Sequence, residues 1–485
     1  LYTSLARSLW QPLAGGHPGA FVRAFLATGQ DAPVLPTLAA PLSGFGPDVA
    51  VLVQLPILLA LCLVTYLLAR RFASPGVAAG AAAVVCLAPP VLAWSLMVHM
   101  ALLATLAAMA FVLLLLQSGW FERTGVSALV GVCAGMLALS RSMAPVYVAG
   151  LAAGVVVVSL TSRGPRLTRR RARNMAIAAA AALLVAGPWW VVSGPAAWQW
   201  LSTVKEFGVG PVARKGIPGM DRLAWSLKEA GPATVLFLAV VVGTWAVGGV
   251  RRRPGRPGPG AAGWGELGGV VVISFAAVLV VLGAVASHGT AFDLPVLVPA
   301  MLVLILAAAR AAGGRRVVAV GGGLLIAASV LAMALPAGVR PAQLATFVGV
   351  PPYENDATLA ARGVPLPQDR SSALLAALVD AMQGNSVVVF RDDPLVNANG
   401  VNHELAVRHR SATVNVPTYA VNVRLTSLDS RPAAVITGTS CYPYHVNVDN
   451  DALESSLRGA GYGLVWERRV SDCNVVRLWD ARPGG

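Results

Sequence analysis

A chain of 485 residues that is 56% hydrophobic and 12% charged, with mean hydropathy +0.68, is not a soluble globular protein. Such proteins carry about 25% charged residues. The net charge of +15 does not make it a nucleic-acid binder either, because of where the charge lies. Of 37 basic and 22 acidic groups, residues 341–485 hold 12 and 14, so the first 340 residues hold 25 and 8. The surplus sits between apolar runs, where it reports topology and contact with membrane lipids, and no aromatic-interleaved basic groove for nucleic acid is visible.

Taken in chain order, residues 1–48 read as a first loop on the outer side of the membrane, with a helix over Leu1–Trp10. Apolar runs that read as spans, for which ~20 residues suffice, follow at 49–69, 76–97, 100–117, 126–140, 143–161, 174–193, 232–250, 266–286, 294–311 and 317–338. That makes about ten spans. The run 126–140 is short, so it tilts, thins the bilayer or is partly re-entrant. Arginines cluster at Arg70-Arg71, Arg163–Arg173, Arg251–Arg256 and Arg310–Arg316, each at the end of a run. Cytoplasmic loops hold excess Lys and Arg, and strict alternation of the ten runs puts every cluster on one side. The N-terminus then lies outside. A chain that starts there at Leu1, without Met, is expected to have an upstream span and about eleven in all.

From about 340 the composition becomes that of a small α/β domain, expected outside the cytoplasm. Residues 386–390, 433–437, 463–467 and 474–479 read as strands, and 370–383 and 451–460 as helices. Cys62, Cys86 and Cys133 lie within apolar runs and read as small hydrophobes. Cys441 and Cys473 fall in the polar region, where an oxidising compartment permits a disulfide; spacing alone leaves their pairing open.

Few groups could do chemistry. Before residue 340, Glu122 and Glu266 fall on the cytoplasmic side, and Asp31, Asp48, Glu206, Asp221, Glu229 and Asp293 on the outer side. Asp48, Glu206 and Glu229 read best as solvated loop carboxylates. Asp31 and Asp293 each sit in a short polar break beside proline, and read either as solvated groups or as site residues. His99 interrupts two long apolar runs, as an interfacial hairpin residue or a site residue. Arg141 lies outside, against the charge rule, which suits either a bound phosphate or a nearby carboxylate. His288, in Ser287-His288-Gly289, is a similar case. No zinc, nucleophile-elbow or phosphate-loop signature occurs, so no metal or cofactor is implied. Mid-span acids and bases of the kind transporters use are absent.

Four stretches carry a family likeness. They are Tyr2-Thr3-Ser4-Leu5-Ala6-Arg7-Ser8-Leu9, Asp31-Ala32-Pro33-Val34-Leu35-Pro36, Gly187-Pro188-Trp189-Trp190 and Phe292-Asp293-Leu294-Pro295-Val296-Leu297-Val298-Pro299. Gly131 to Arg141 adds a glycine-rich span ending in a basic residue. In this order the chain resembles GT-C glycosyltransferases of the protein O-mannosyltransferase and lipid A aminoarabinose transferase type, over residues 1–340. The resemblance implies a polytopic membrane enzyme that moves a sugar, with inversion, from a polyprenyl-phosphate donor to a cell-envelope glycan, lipid or protein. It implies a carboxylate base in the first outer loop, falling just before Leu1. It also implies Asp31 as an auxiliary group, and Tyr2, His99, Arg141, His288 and Asp293 as substrate-binding residues. The family's second acid corresponds to His99, and Asp31-Ala32 stands where some members have a lysine. Those departures keep a second expectation open, a non-catalytic polyprenyl-lipid-binding or scaffold protein of the same shape.

Overall fold

The computed structural model describes residues 2–29, 31–45, 49–95, 98–161, 167–207, 231–250, 264–283, 290–311 and 314–334. Towards the C-terminus it describes 368–390, 396, 401, 404–405, 408, 410, 412–415, 432–439, 450–471 and 474–481. Three short helices come first: α1 (Tyr2–Ala14), α2 (Pro18–Leu26) and α3 (Val34–Ser43). Only the first was expected from the sequence. The others hide in a loop-like composition because proline occupies helix starts there, at Pro18 and Pro33, where its missing N–H costs nothing.

The bundle follows as α4 (Gln54–Arg70, led in by a 3-10 turn at Val49–Val53), α5 (Pro75–Cys86), α6 (Pro89–Ser95) and α7 (Ala101–Gln117). Next come α8 (Thr124–Ala138), α9 (Ala144–Thr161), α10 (Arg169–Phe207), α11 (Pro232–Val250), α12 (Trp264–Gly283), α13 (Thr290–Arg310) and α14 (Gly314–Ala334). Every expected span has its helix, with two departures. The run 76–97 is divided between α5 and α6, because Pro89-Pro90 cannot extend the helix that precedes them. The run 174–193 belongs to a longer helix of 39 residues that carries Pro188 and Pro195 inside it. Among the described residues, Val49–Arg70, Ala144–Thr161, Arg169–Trp198 and Gly314–Ala332 are each long and apolar enough to cross a membrane alone. The 17 residues of α7, at ~1.5 Å each, span about 26 Å, close to the hydrocarbon thickness.

Glycines set how closely the helices approach. A Cβ on Gly131 of α8 would stand 2.0 Å from the Ala178 carbonyl oxygen of α10, and one on Gly135 would stand 2.7 Å from Val185 Cβ. Thr124 Oγ1 and Asn174 Oδ1 are 3.0 Å apart. The pairs 124–174, 131–178 and 135–185 advance together, so α8 and α10 run parallel. Gly150 and Gly154 of α9 meet Val278 and Val270 of α12 in the opposite sense, and that pair is antiparallel.

One end of the bundle gathers the Arg71–Ser74 turn, the α7–α8 turn and the starts of α10, α12 and α14. Arg310 donates to the Phe72 carbonyl at 2.9 Å and lies 4.1 Å over the Trp264 ring. Glu122 forms an ion pair with Arg171 at 2.8 Å. Gly119, Trp120 and Phe121 all have left-handed backbone, with φ of 64°, 60° and 67°. For the two aromatic residues that costs about 1–3 kcal/mol each. The turn is over-determined: Ser118 Oγ accepts from the Phe121 N–H at 2.9 Å, and Asn174 Nδ2 donates to the Phe121 carbonyl at 2.7 Å.

The C-terminal α/β domain holds α15 (Gln368–Ala381), α16 (Asn450–Gly459) and a sheet of β1 (Ser386–Val389), β2 (Thr413–Asn415), β3 (Ala434–Thr439), β4 (Tyr462–Ser471) and β5 (Asn474–Ala481). The strand order is β2-β1-β3-β5-β4, with β1 parallel to β2 and β3, and β5 antiparallel to β3 and β4. Alternate residues feed two cores, Val387, Val389 and Ile436 on one face and Val388, Val435 and Trp479 on the other, so the sheet is covered on both sides. Cys441 and Cys473 lie outside the described residues.

Candidate functional site

The end of the bundle opposite the Glu122 and Arg310 clusters collects three of the sequence-nominated residues, Arg141, His99 and Asp31. The parallel register of α8 and α10 determines how. Since Gly135 lies against Val185, the end of α8 at Ala138 reaches the level of Pro188 and Trp189, and Arg141 follows in the next turn. Its side chain is taken into the protein, with the residue 5% exposed. Its backbone carbonyl accepts from Ala144 N–H at 2.9 Å, which starts α9. Ser140 and Ser142 beside it are buried as well.

His99 lies near enough to this arginine to feel its charge. It connects α6 to α7, and its carbonyl accepts from Gln54 Nε2 of α4 at 2.8 Å. Its Nδ1 accepts from the Ala101 N–H at 3.2 Å, which assigns the remaining proton to Nε2. The ring lies 4.4 Å from that of Trp94. Burial first, and the Arg141 charge second, push its pKa down to about 3. At neutral pH the site therefore holds a neutral, donating imidazole beside a permanent guanidinium. That pairing avoids setting two cations together in a low-dielectric pocket.

The Asp31 loop is pinned to the same height of α10. Trp189 is fully buried, and its Nε1–H donates to Thr28 Oγ1 at 2.7 Å. Ser193 Oγ donates to the Leu26 carbonyl at 2.6 Å and accepts from the Gly29 N–H at 3.1 Å. Gly29 takes φ +67° to turn the chain there, a conformation in which a Cβ is strained. Ala32, Val34 and Leu35 are buried behind the loop. Asp31 itself is half-buried, and desolvation lifts its carboxyl to about 6. A carboxylate with its pKa near neutrality is suited to accept a proton.

Arg141 and His99 thus come together, and Asp31 is anchored at the same end through α10. Tyr2 lies in α1 and Asp293 in α13, with their side chains outside the described residues; His288 lies wholly outside them. Sequence reasoning missed Gln54, Trp94, Thr28 and Ser193. Gln54 carried a signal, being a polar residue buried at the head of an apolar run. Thr28 and Ser193 carried none, since their bonds cross 161 and 167 residues. Among the described residues no three His, Cys, Asp or Glu side chains gather as a metal site.

Two crystal structures share this fold across nearly the whole chain. ArnT from Cupriavidus metallidurans in the apo state is 14% identical, with TM-score 0.55, over 98% of this chain and 93% of that one. ArnT from Cupriavidus metallidurans bound to undecaprenyl phosphate is also 14% identical, with TM-score 0.50, over 98% and 92%. The fold is therefore the GT-C one that the motifs led us to expect, in a multi-pass membrane protein. No family model matches the sequence, and no curated protein does either.

Proposed function

We propose that this protein is a membrane glycosyltransferase that moves a sugar from a polyprenyl-phosphate donor to a cell-envelope glycan, lipid or protein. The observation that carries the proposal is the buried Arg141 beside a neutral, donating His99, in a fold shared with a protein crystallised with undecaprenyl phosphate. The guanidinium would accept the departing phosphate with bidentate, charge-assisted bonds, and His99 Nε2 would add a donor that brings no charge. Stabilising a leaving group in this way is worth most where water is excluded. Asp31, with its raised pKa, serves as an auxiliary proton acceptor or a ligand for a sugar hydroxyl. Tyr2, His288 and Asp293 are proposed to line the substrate path. Transfer with inversion follows from direct attack of the acceptor hydroxyl on the anomeric carbon as polyprenyl phosphate leaves.

The orientation belongs to the proposal. The arginine clusters would face the cytoplasm, with residues 1–48 as the outer loop, 49–339 as the spans and 340–485 as an extracytoplasmic domain over the site. His99 also supports a second reading. It replaces the acid expected from the resemblance and is held neutral, as in a lipid-binding or scaffold protein that keeps the shape without the transfer. Full-length protein in proteoliposomes, given a polyprenyl-phosphate sugar and envelope acceptors, separates the two. Transfer supports the enzyme; saturable binding of polyprenyl phosphate without transfer overturns it in favour of the scaffold.

A further inference from the structure

We propose that the arginines gathered around the α4–α5 turn, at the end of the bundle away from the candidate site, hold the headgroup of an anionic phospholipid. Three elements supply them. Arg70 and Arg71 end α4, Arg310 ends α13, and Arg315 and Arg316 occupy the first turn of α14. Arg310 ties its helix to the turn through the Phe72 carbonyl at 2.9 Å. A Cβ on Gly314 would stand 1.8 Å from the Ala308 carbonyl oxygen, so α14 starts directly against the end of α13. Further along, Gly322 meets Val84 of α5. Counting back seven residues on each helix sets Arg315 level with Val77, beside the turn that carries Arg70 and Arg71.

This concentration of charge is poorly compensated. Arg70, Arg71, Arg315 and Arg316 are exposed. Arg70 donates to the Ala73 carbonyl, and no carboxylate pairs with any of these four among the described residues. Glu266 stands in the first turn of α12, two residues from Trp264. Arg315 and Arg316 also oppose the dipole of their own helix, which has no acid in its first turn. Cations at that position are unfavourable unless an anion answers them.

The surface beside the arginines fits the rest of a lipid. α5 lies between α4 and α14, and its outer face bears Gly76, Ala79 and Gly80. A Cβ on either glycine would meet nothing within 4 Å, so this strip is shallow and open. The strip leads away from the arginines along the direction of an acyl chain. Basic groups at headgroup depth attract anionic lipid by roughly one charge interaction each, and guanidinium is suited to phosphate oxygens.

Native mass spectrometry of the full chain, purified in detergent and offered phosphatidylglycerol or phosphatidylcholine, tests this. Wild type is expected to retain the anionic lipid about tenfold better. The preference should vanish in Arg315→Gln/Arg316→Gln and persist in Arg169→Gln/Arg173→Gln, which removes equal charge from the same end. Equal retention of the two lipids by wild type, or an undiminished preference in the first variant, overturns the proposal. Displacement of phosphatidylglycerol by millimolar inorganic phosphate also overturns it, in favour of a free-phosphate site. The wild-type comparisons need no variant to fold.

Discussion

The two ends of the helical bundle treat charge in opposite ways. At the Glu122 and Arg310 end, guanidiniums are only partly buried, and they pair with Glu122, cap a carbonyl or lie over Trp264. At the other end one arginine, the single buried one among the described residues, is withdrawn from solvent near a histidine whose charge burial suppresses. Exposed pairs are worth about 0–1 kcal/mol and are screened by salt. A buried guanidinium is costly to hold, and under the proposed function Arg141 would meet the phosphate of the donor. Depth relative to the bundle, more than arginine content, separates the two ends.

Substitutions at the two ends should separate these uses. The largest effect is expected where α8 is pressed on α10. Gly131→Leu drives a side chain into the Ala178 carbonyl and should cost at least about 3 kcal/mol, seen as a lower thermal midpoint in detergent. Gly125→Ala, in open space on the same helix, should be neutral or slightly stabilising. A Gly131→Leu protein as stable as wild type would remove the close contact that lifts Arg141 into place.

Next comes pH. Asp31 titrates near 6, above its ordinary value, so it is ionised above that pH and protonated below. Transfer that uses its carboxylate should fall as pH drops through about 6, and His99, neutral down to about 3, adds no limb of its own. Asp31→Asn should abolish the acid limb and lower the plateau about tenfold. A pH–rate profile left unchanged by that substitution would remove Asp31 from the chemistry. Trp189→Phe, which deletes the donor to Thr28, should cost about 1 kcal/mol and slow transfer about fivefold. The smallest effect belongs to the opposite end. Arg310→Gln should leave transfer within about twofold while lowering the thermal midpoint slightly, and a large loss of transfer there would erase the distinction between the ends.

Much of this architecture was legible in the sequence, because long apolar runs have few ways to satisfy their backbone other than as helices. The strands at 386, 434, 462 and 474 were equally plain from their β-branched runs. Thr413–Asn415 was not, being three residues long and dependent on pairing with β1. At the site, Arg141 and His99 could be nominated singly, as polar groups in the wrong surroundings. Their adjacency could not, since it depends on the register that Gly131 and Gly135 allow between α8 and α10. The pinning of the Asp31 loop by Trp189 and Ser193 was hidden for the same reason: nothing in either segment points to the other.

The most direct measurement is sugar transfer from a polyprenyl-phosphate donor by wild type, Arg141→Lys and Arg141→Ala at equal amounts of folded protein. Arg141→Ala is expected to lose at least about 100-fold, with Arg141→Lys intermediate because a point charge replaces a bidentate fork. Wild-type rates in Arg141→Ala would contradict a phosphate-binding role for the buried arginine.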